Sequence, residues 1–426
     1  MAVLTPETLP TTRDDLEQLQ VERLQATLHR VQRHVAFYRT MFANAGFDPD
    51  ECAQLSDVHR LPLTSETDLS QAYPYDMFAT PLKEVVQIHT TTGRHPEPVV
   101  HGYTERDLTN AAALMARIMR GLGLSAEDVF QITLNYGLGT GAFTVHEGAR
   151  RLGASVIPTA TGRTPKQLQI MRDFGTSCLV ATPSYALRLL RSLKEQRVSL
   201  AALRLKCVLV TGEPWTETTR SVLEEGLQAK VYDLYGLSAA YGPLVAAQCR
   251  TQSVLHVQED LFYAEILDPH THQPVPEGEW GELVLTTLVK EAVPLLRYRT
   301  GDRVRRVGHA CDCGSVFTAL DHVSGRVDDV LTVKGVNIAP SRIGQLLNAA
   351  LDFEVQWTAE IAGSGPDQEL VLRLGIREDL FFDQMKRQRK LVDDLRRYLA
   401  QWLGVTPRIL LVEPESLPRR AVRDRQ

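Results

Sequence analysis

Between residues 107 and 320, short runs of β-type residues alternate with longer stretches whose apolar residues recur at helical spacing. Alternation of this kind is typical of a sheet of parallel strands with helices packed on its faces. The β-type runs occupy residues 129–132, 155–157, 178–180, 207–210 and 283–285. The sequence therefore predicts an α/β fold for most of the chain.

The two ends of the chain carry different patterns. Residues 12–45 keep roughly helical apolar spacing among charged residues, which predicts one or two amphipathic helices. Near the C-terminus, strands are predicted at 369–374 and 408–412, with a helix between them. The apolar residues that share one face of that helix are Leu391, Leu395, Leu399 and Trp402. These last elements predict a small α+β unit.

The length of 426 residues allows two or three compact units and a large buried core. Polar and small residues interrupt the apolar runs at 325–329, and such interruptions commonly mark domain boundaries. We therefore expect an N-terminal domain of residues 1–328 and a C-terminal domain of residues 329–426.

The composition excludes several classes of protein. With 43% hydrophobic and 23% charged residues, the chain is neither disordered nor a membrane protein. The basic residues are scattered and the formal net charge is −5, so no nucleic-acid partner is expected. No segment approaches the ~18–20 apolar residues that span a bilayer, and the N-terminus lacks the pattern of a secretory leader. We expect a cytoplasmic protein with no membrane partner.

The six cysteines are too few for a disulfide scaffold in a chain of this length. Cys52, Cys178 and Cys207 stand alone, and the last two lie within apolar runs, so we interpret them as small core residues.

The other three cysteines form a candidate metal site with a histidine. Cys249 precedes His256 by seven residues, and Cys311 and Cys313 follow in a Cys-x-Cys pair. Three thiolates and one imidazole suit a closed, tetrahedral, structural zinc site. His309 is an alternative fourth ligand, and three buried thiols without metal are the other interpretation.

Many segments, in order along the chain, resemble the phenylacetate–CoA ligase family. Among them are Gly-Glu-Pro-Trp at 212–215, Tyr-Asp-Leu-Tyr-Gly-Leu-Ser at 232–238 and Arg-Tyr-Arg-Thr-Gly-Asp at 297–302. The other matching segments are 37–39 with 45–46, 61–64, 73–74, 88–90, 102–104, 181–185, 290–292, and 325–329 with 335–341. This family is a branch of the adenylate-forming enzymes, which activate a carboxylate with ATP and pass it to CoA. The resemblance implies a large N-terminal domain of layered sheets and helices and a small mobile C-terminal α+β domain, with a hinge near Asp328.

The resemblance also implies a nucleotide site. Its residues would be Gly212, Glu213, Pro214, Tyr235, Gly236, Asp302 and Arg326. A carboxylate at Asp302 can accept both ribose hydroxyls, and the Arg326 guanidinium can bind ribose or phosphate oxygens. Tyr235 can stack on a purine. The alternatives are a capped turn for Asp302 and a surface ion pair for Arg326.

By the same resemblance, the acyl group would lie against residues 135–143. The predicted substrate-binding residues there are Tyr136, Gly137, Gly139 and Phe143, which suit an aryl or medium acyl group. The alternative is a tight strand-to-helix turn with core aromatic residues.

Two histidines are candidate catalytic residues. His146 follows the acyl-binding stretch, and either a general base or a locally hydrogen-bonded side chain fits that position. His95 lies in the segment that faces the reactive centre in the family.

Three segments depart from the family pattern. In the phosphate loop, Pro96 and Glu97 stand where the family has glycine and lysine, and Ala239 stands where it has a Mg²⁺-binding glutamate. No lysine follows Lys390, although the family places its adenylation lysine near the C-terminus. These departures argue against ATP and Mg²⁺ as cofactors.

From the departures we predict an enzyme that has lost ATP-dependent activation. It would act on a preactivated aryl or acyl group, an adenylate or a CoA thioester, by acyl transfer or condensation, with the nucleotide site holding AMP or part of CoA. One alternative is a working ATP-dependent acid–CoA ligase in which Arg94 and Arg420 or Arg423 replace the missing cations. Another is a non-catalytic binding or scaffold protein. The sequence identifies neither the acyl substrate nor the acceptor. It is compatible with a homodimer.

Overall fold

The structure, a computed structural model, describes residues 10–91, 95, 97–252, 254–307, 311–351, 353, 355–376 and 385–417. Two compact units compose it: residues up to 91 with 99–327, and residues 92–98 with 328–426. The larger unit combines sheets and helices and the smaller one is α+β, so the predicted α/β fold class is confirmed.

The larger unit contains eight α-helices among its described residues. These are α1 Arg13–His34, α2 Ala36–Ala45, α3 Glu66–Gln71, α4 Glu105–Gly121, α5 Gly141–Leu152, α6 Thr164–Asp173, α7 Pro183–Glu195 and α8 Glu217–Leu227. Its first strands are β1 Val85–Thr91, β2 Val99–Thr104, β3 Val129–Ile132, β4 Ser155–Ile157, β5 Cys178–Ala181, β6 Cys207–Val210 and β7 Lys230–Leu237. Its other strands are β8 Gly242–Gln248, β9 Leu255–Val257, β10 Phe262–Leu267, β11 Trp280–Thr287, β12 Tyr298–Arg305, β13 Ala319–Leu320 and β14 Gly325–Arg326.

An eight-stranded sheet forms the centre of this unit, in the order β13-β9-β8-β7-β6-β5-β3-β4. Strands β3 to β7 are parallel, as the alternating pattern predicts. The side chains of the central strands β5 and β6 are all buried because helices cover both faces, which explains their continuous apolar runs. Cys178 and Cys207 are neighbours on β5 and β6 and are 0% and 4% exposed, as expected of core residues.

The run at 283–285 lies in a different sheet from the one predicted. It belongs to β11, in a four-stranded antiparallel sheet of order β10-β11-β12-β14. The connections between β10, β11 and β12 contain no helix, as is usual between antiparallel neighbours. This sheet pairs Asp302 on β12 with Arg326 on β14.

The N-terminal region is helical, as predicted. Helix α1 begins after Thr12, whose side chain accepts a hydrogen bond from the backbone of Asp15, and α2 follows after Val35. The Gln20 side chain donates to the carbonyls of Glu259 and Phe262, so α1 is fixed to the loop before β10.

The smaller unit contains α9 Pro340–Ala350, α10 Met385–Leu403, β15 Leu331–Val333, β16 Val336–Ile338, β17 Gln356–Ala362, β18 Glu369–Gly375 and β19 Arg408–Val412. Strands β15 and β16 form a hairpin, and β17, β18 and β19 form a mixed three-stranded sheet. Helix α10 buries Leu395 and Leu399, but Trp402 is 48% exposed and Leu403 is buried instead. The prediction for Trp402 is wrong because the four-residue spacing continues to 403.

The described residues include no helix that is both long enough and apolar enough to cross a membrane.

Candidate active site

Several of the predicted nucleotide-site residues lie at the carboxyl edge of the parallel strands. Residues 212–214 follow β6, Tyr235 lies on β7, and Val210 and Asp233 are paired neighbours on these strands. Ligands of open α/β sheets commonly bind at this edge.

Asp302 is the centre of the predicted nucleotide site. Its Oδ2 accepts a hydrogen bond of 2.6 Å from the Tyr235 hydroxyl, and its Oδ1 accepts one of 2.6 Å from Arg326 Nη1. Arg326 Nη2 also donates to the Thr300 carbonyl at 3.0 Å. Burial, together with the Asp302 charge, raises the pKa of Tyr235 well above its ordinary value. The structure therefore brings Tyr235, Asp302 and Arg326 together around one carboxylate.

Glu213 has a structural contact that the sequence did not indicate. Its two carboxylate oxygens accept hydrogen bonds from the backbone N–H and the hydroxyl of Ser184, at 2.9 and 2.7 Å. Ser184 lies in the first turn of α7, where a negative charge is favourable. Glu213 thus fixes the turn after β6 to α7. Gly212 adopts a φ of +84° in this turn, a conformation that favours glycine.

Gly236 is required by close backbone packing. A Cβ atom at this position would lie 1.8 Å from the Gly242 carbonyl oxygen, so no other residue fits. This glycine lets β7 approach the turn into β8 immediately after Tyr235.

The predicted acyl-binding stretch forms an aromatic cluster. The rings of Tyr136 and Phe143 meet edge to face at 5.3 Å, and His89 contacts Phe143 at 5.4 Å. The His89 Nδ1 lies 3.0 Å from the Leu138 carbonyl oxygen. Gly137 and Gly139 are exposed, and a Cβ atom at Gly139 would meet no atom within 4 Å. The cluster joins β1 to the start of α5.

The two candidate catalytic histidines lie in different units. His146, on α5, has its Nδ1 3.1 Å from the Tyr136 hydroxyl. Burial lowers the pKa of His146, so the imidazole is neutral at pH near 7. His95 is half-buried and belongs to the smaller unit with segment 92–98. Catalytic roles for both residues stay predictions.

Part of the divergent loop lies outside the described residues. Thr92, Gly93, Arg94 and Pro96 are in that part, and Glu97 is exposed. The C-terminal arginines Arg420 and Arg423 also lie outside the described residues, and so does His309.

Ala239, at the position of the family's glutamate, contacts a buried lysine that the sequence did not single out. Lys290 is 1% exposed, and its Nζ donates a hydrogen bond of 2.8 Å to the Ala239 carbonyl. The ammonium group also faces the rings of Tyr103 and Tyr241, at 4.4 and 5.4 Å from their centroids. Burial lowers the pKa of Lys290 to about 8, although the Asp107 carboxylate opposes this shift.

Asp107 connects this lysine cluster to the rest of the unit. Its carboxylate accepts hydrogen bonds from the backbone of Glu291 and Ala292 and from the Tyr241 hydroxyl. It also caps α4 together with Thr104. The network holds residues 238–241, directly after β7, against the loop at 290–292.

The four predicted metal ligands lie together. One ligand atom from each of Cys249, His256, Cys311 and Cys313 falls within 4.8 Å of the others. The Cys249 and Cys311 sulfurs are 3.6 Å apart, and Cys313 Sγ lies 3.3 Å from His256 Nε2. In a tetrahedral zinc site such ligand atoms are separated by about 3.5–3.8 Å. The donor set and its spacing therefore fit a zinc ion.

Two family models match the chain. The model described as "AMP-binding enzyme" matches residues 90–287, and that described as "AMP-binding enzyme C-terminal domain" matches residues 335–426.

Curated relatives match nearly the whole chain. The phenylacetate-coenzyme A ligase of Escherichia coli strain K12 is 36% identical over 408 residues, which cover 95% of this chain and 93% of that protein. The enzyme of the same name from Thermus thermophilus is 36% identical over 426 residues, covering 97% of this chain and 95% of that protein.

Solved structures match the fold. A 2-hydroxyisobutyryl-CoA ligase, in complex with 2-HIB-AMP and CoA in the thioesterification state, has a TM-score of 0.91 and 28% identity, and the match covers 98% of this chain and 91% of that chain. The same ligase in the postadenylation state with 2-HIB-AMP has a TM-score of 0.72 and 27% identity, covering 97% of this chain and 89% of that chain.

Proposed function

Because the chain belongs to the phenylacetate–CoA ligase family of AMP-binding enzymes, we propose that it is an ATP-dependent acid–CoA ligase that acts on an aryl acid. In the first step, a carboxylate oxygen attacks the α-phosphorus of ATP, which forms an acyl-adenylate and releases pyrophosphate. In the second step, the thiol sulfur of CoA attacks the acyl carbon, loses its proton and releases AMP. The products are a thioester, AMP and pyrophosphate.

The strongest support is similarity over almost the full length to enzymes named for this activity. The prediction that ATP-dependent activation has been lost is therefore wrong. That prediction rests on three short segments, each compared with the family pattern position by position. Cations elsewhere in the chain can supply the positive charge that the missing lysines would provide.

The Asp302 carboxylate is suited to hold the ribose. Tyr235 and Arg326 each fix one of its two oxygens, so the carboxylate is held in place before the nucleotide binds. We assign the purine to the Tyr235 ring and to the backbone of Gly212, Glu213 and Pro214, because the Glu213 carboxylate is already bound by Ser184.

The aromatic cluster at the start of α5 supports an aryl substrate. Tyr136 and Phe143 present rings beside the exposed glycines Gly137 and Gly139, and Gly139 has open space next to it. Hydrogen bonding to Tyr136 orients the His146 ring, which is consistent with a role in binding the acid.

A zinc ion at Cys249, His256, Cys311 and Cys313 would have a structural role. Four protein ligands leave no open position for water or substrate, so the ion would supply no chemistry. It would connect the end of β8 to β9 and to the segment before β13. A homodimer and a cytoplasmic location are further parts of this proposal.

The experiment is to incubate the purified protein with ATP, Mg²⁺ and CoA and with phenylacetate, benzoate or a short aliphatic acid. We expect AMP and an acyl-CoA product in equal amounts, with an aryl acid as the best substrate. Omission of CoA should leave slow pyrophosphate release, and omission of the acid should abolish it.

A matched pair of variants distinguishes loss of an active-site contact from loss of folding or stability. Asp302→Asn should reduce AMP formation by about 100-fold, because the amide cannot replace both charge-assisted hydrogen bonds. Asp268→Asn, in an exposed turn, should retain wild-type activity. Absence of acid-dependent AMP formation with all three acids would contradict the proposal.

A further inference from the structure

His322 contacts three elements that border the nucleotide site. It lies between β13 and β14, four residues before Arg326. Its Nδ1 is 3.3 Å from Asp233 Oδ2 on β7, and its Nε2 is 3.0 Å from Glu217 Oε1 at the start of α8. Its ring also meets Trp215 edge to face, with the ring centroids 6.1 Å apart. One side chain therefore joins β7, α8 and the turn after β6.

Asp233 is the carboxylate that this contact stabilises. It is 8% exposed and lies two residues before Tyr235, at the carboxyl edge of the sheet. Its backbone N–H donates to Gln248 Oε1 at 2.9 Å. A carboxylate with so little access to water is costly unless a donor or a cation faces it, and His322 supplies that group.

Trp215 directly follows the turn that we assign to the purine. Among the described residues, its buried Nε1 has no hydrogen-bond partner. The indole is instead held by the His322 ring and by the Arg220 guanidinium, which lies 4.5 Å from the indole centroid. Replacement or deprotonation of His322 would therefore also alter the packing of Trp215, which follows Pro214.

The charged groups that face His322 are Asp233 on β7 and Glu217 and Arg220 on α8, with the polar side chain of Gln248 on β8. The hydrogen bond with Asp233 raises the pKa of His322, while burial and the Arg220 charge oppose this shift. Because the Glu217 side chain is 64% exposed, water weakens its contribution, and Asp233 is the main partner.

We propose that His322 is a positioning residue of the nucleotide site, whose imidazolium holds the Asp233 carboxylate and the Trp215 ring in the arrangement that receives the nucleoside part of ATP. This role rests on the proposed function for the identity of the nucleoside. A protonated ring donates hydrogen bonds from both nitrogens, whereas the neutral ring donates from one. Deprotonation would therefore leave either Asp233 or Glu217 without its donor.

The pH dependence has a definite sign. Loss of the His322 proton removes a cation from between the Asp233 and Glu217 carboxylates. Because the pKa of His322 is raised, the ring is fully protonated at pH values below the ordinary histidine pKa. It loses its proton, and its contacts as a cation, as the pH rises through the raised pKa. Nucleoside affinity should fall over the same interval.

Adenosine is a suitable probe, because it carries no phosphate and changes no charge in this pH range. We expect its affinity, measured by calorimetry with the full-length protein, to fall about three- to tenfold between about pH 6 and about pH 9. In His322→Gln the affinity should be independent of pH, because the amide does not titrate. His29→Gln is the matched control: His29, on α1, lies 3.4 Å from the exposed Asp50, and its replacement should preserve the wild-type pH dependence.

Trp215 offers a second measurement that needs no ligand. A protonated imidazole quenches the fluorescence of an adjacent indole, so the Trp215 emission of the wild type should increase as His322 loses its proton. The Trp215 signal is the difference between the wild type and Trp215→Phe. This pH-dependent signal should be absent in His322→Gln.

Identical pH dependence of adenosine binding in the wild type and His322→Gln would overturn the role of His322, and so would a Trp215 signal that does not change with pH. Failure to bind adenosine at any pH would also overturn it. The proposed function fails separately: adenosine binding that follows His322, in a protein that forms no AMP from ATP with any acid, would retain the positioning role and reject the ligase.

Discussion

The Tyr235 hydroxyl donates a hydrogen bond of 2.6 Å to Asp302 Oδ2, which joins β7 of the eight-stranded sheet to β12 of the four-stranded sheet. Arg326 binds the other oxygen of the same carboxylate from β14. A carboxylate held from two sheets has little freedom to rotate. The geometry at the ribose position is therefore set by the packing of the sheets and not by a flexible loop.

Removal of the Tyr235 hydroxyl should weaken ATP binding more than it slows turnover. Tyr235→Phe keeps the ring but releases one oxygen of Asp302, so we expect KM for ATP to rise about tenfold with a smaller change in kcat. AMP formation at saturating acid and CoA measures both constants. Tyr75→Phe changes a tyrosine that is 41% exposed and should behave as the wild type. An unchanged KM in Tyr235→Phe would show that the hydrogen bond does not affect the nucleotide.

Lys290 should make folding stability depend on pH in the alkaline range. Its pKa is lowered from 10.5 to about 8 by burial, so between these values the unfolded chain binds more protons than the folded chain. The free energy of unfolding of the wild type should therefore rise with pH relative to Lys290→Met, by up to about 3 kcal/mol. Denaturant unfolding of both proteins across this interval measures the difference. If the free energies of unfolding of the two proteins change with pH in parallel, folding does not lower the pKa of Lys290.

The cysteine–histidine cluster should hold zinc in the purified protein. We expect about one zinc ion per chain without added metal, and we expect Cys311→Ser to lose the ion because three ligands cannot close the site. The Tm should fall by about 5 °C or more in the variant and after treatment with a strong chelator. Asp312→Asn, between the two cysteines, should keep both the metal and the Tm. A metal-free wild type with the same Tm would contradict this site.

Substitutions that remove or add charge test whether arginines replace the family's missing lysines. We expect Arg94→Ala to reduce kcat for AMP formation by about 100-fold, and either Arg420→Ala or Arg423→Ala to do the same, because each removes positive charge that would stabilise the departing pyrophosphate. Glu97→Gln should have the opposite effect and lower KM for ATP, because a carboxylate near phosphate is repulsive. Arg172→Ala, on the exposed end of α6, is the control. If the arginine variants all behave as the wild type, these residues do not replace the missing lysines.

Much of the fold follows from local pattern. Strands β3, β5 and β6 are short apolar runs bounded by helices, and α1 begins at a capping threonine, so neighbouring residues carry the signal. The placement of residues 283–285 does not follow from local pattern, because a buried antiparallel strand and a parallel one have similar composition. The prediction for Trp402 fails for a related reason, since both a three-residue and a four-residue helical spacing fit the stretch after Leu399.

The candidate site divides in the same way. Asp302, Tyr235, Cys249 and Cys311 belong to motifs of chemically distinctive residues, so sequence motifs are enough to select these side chains as candidates. Only the tertiary structure showed that Ser184 occupies the Glu213 carboxylate, that Lys290 lies between two aromatic rings, and that His322 reaches Asp233 across 89 positions of sequence. These contacts join residues far apart in the chain, and their energies depend on burial and on distances of about 3 Å, which hydrophobic periodicity and motif spacing do not encode.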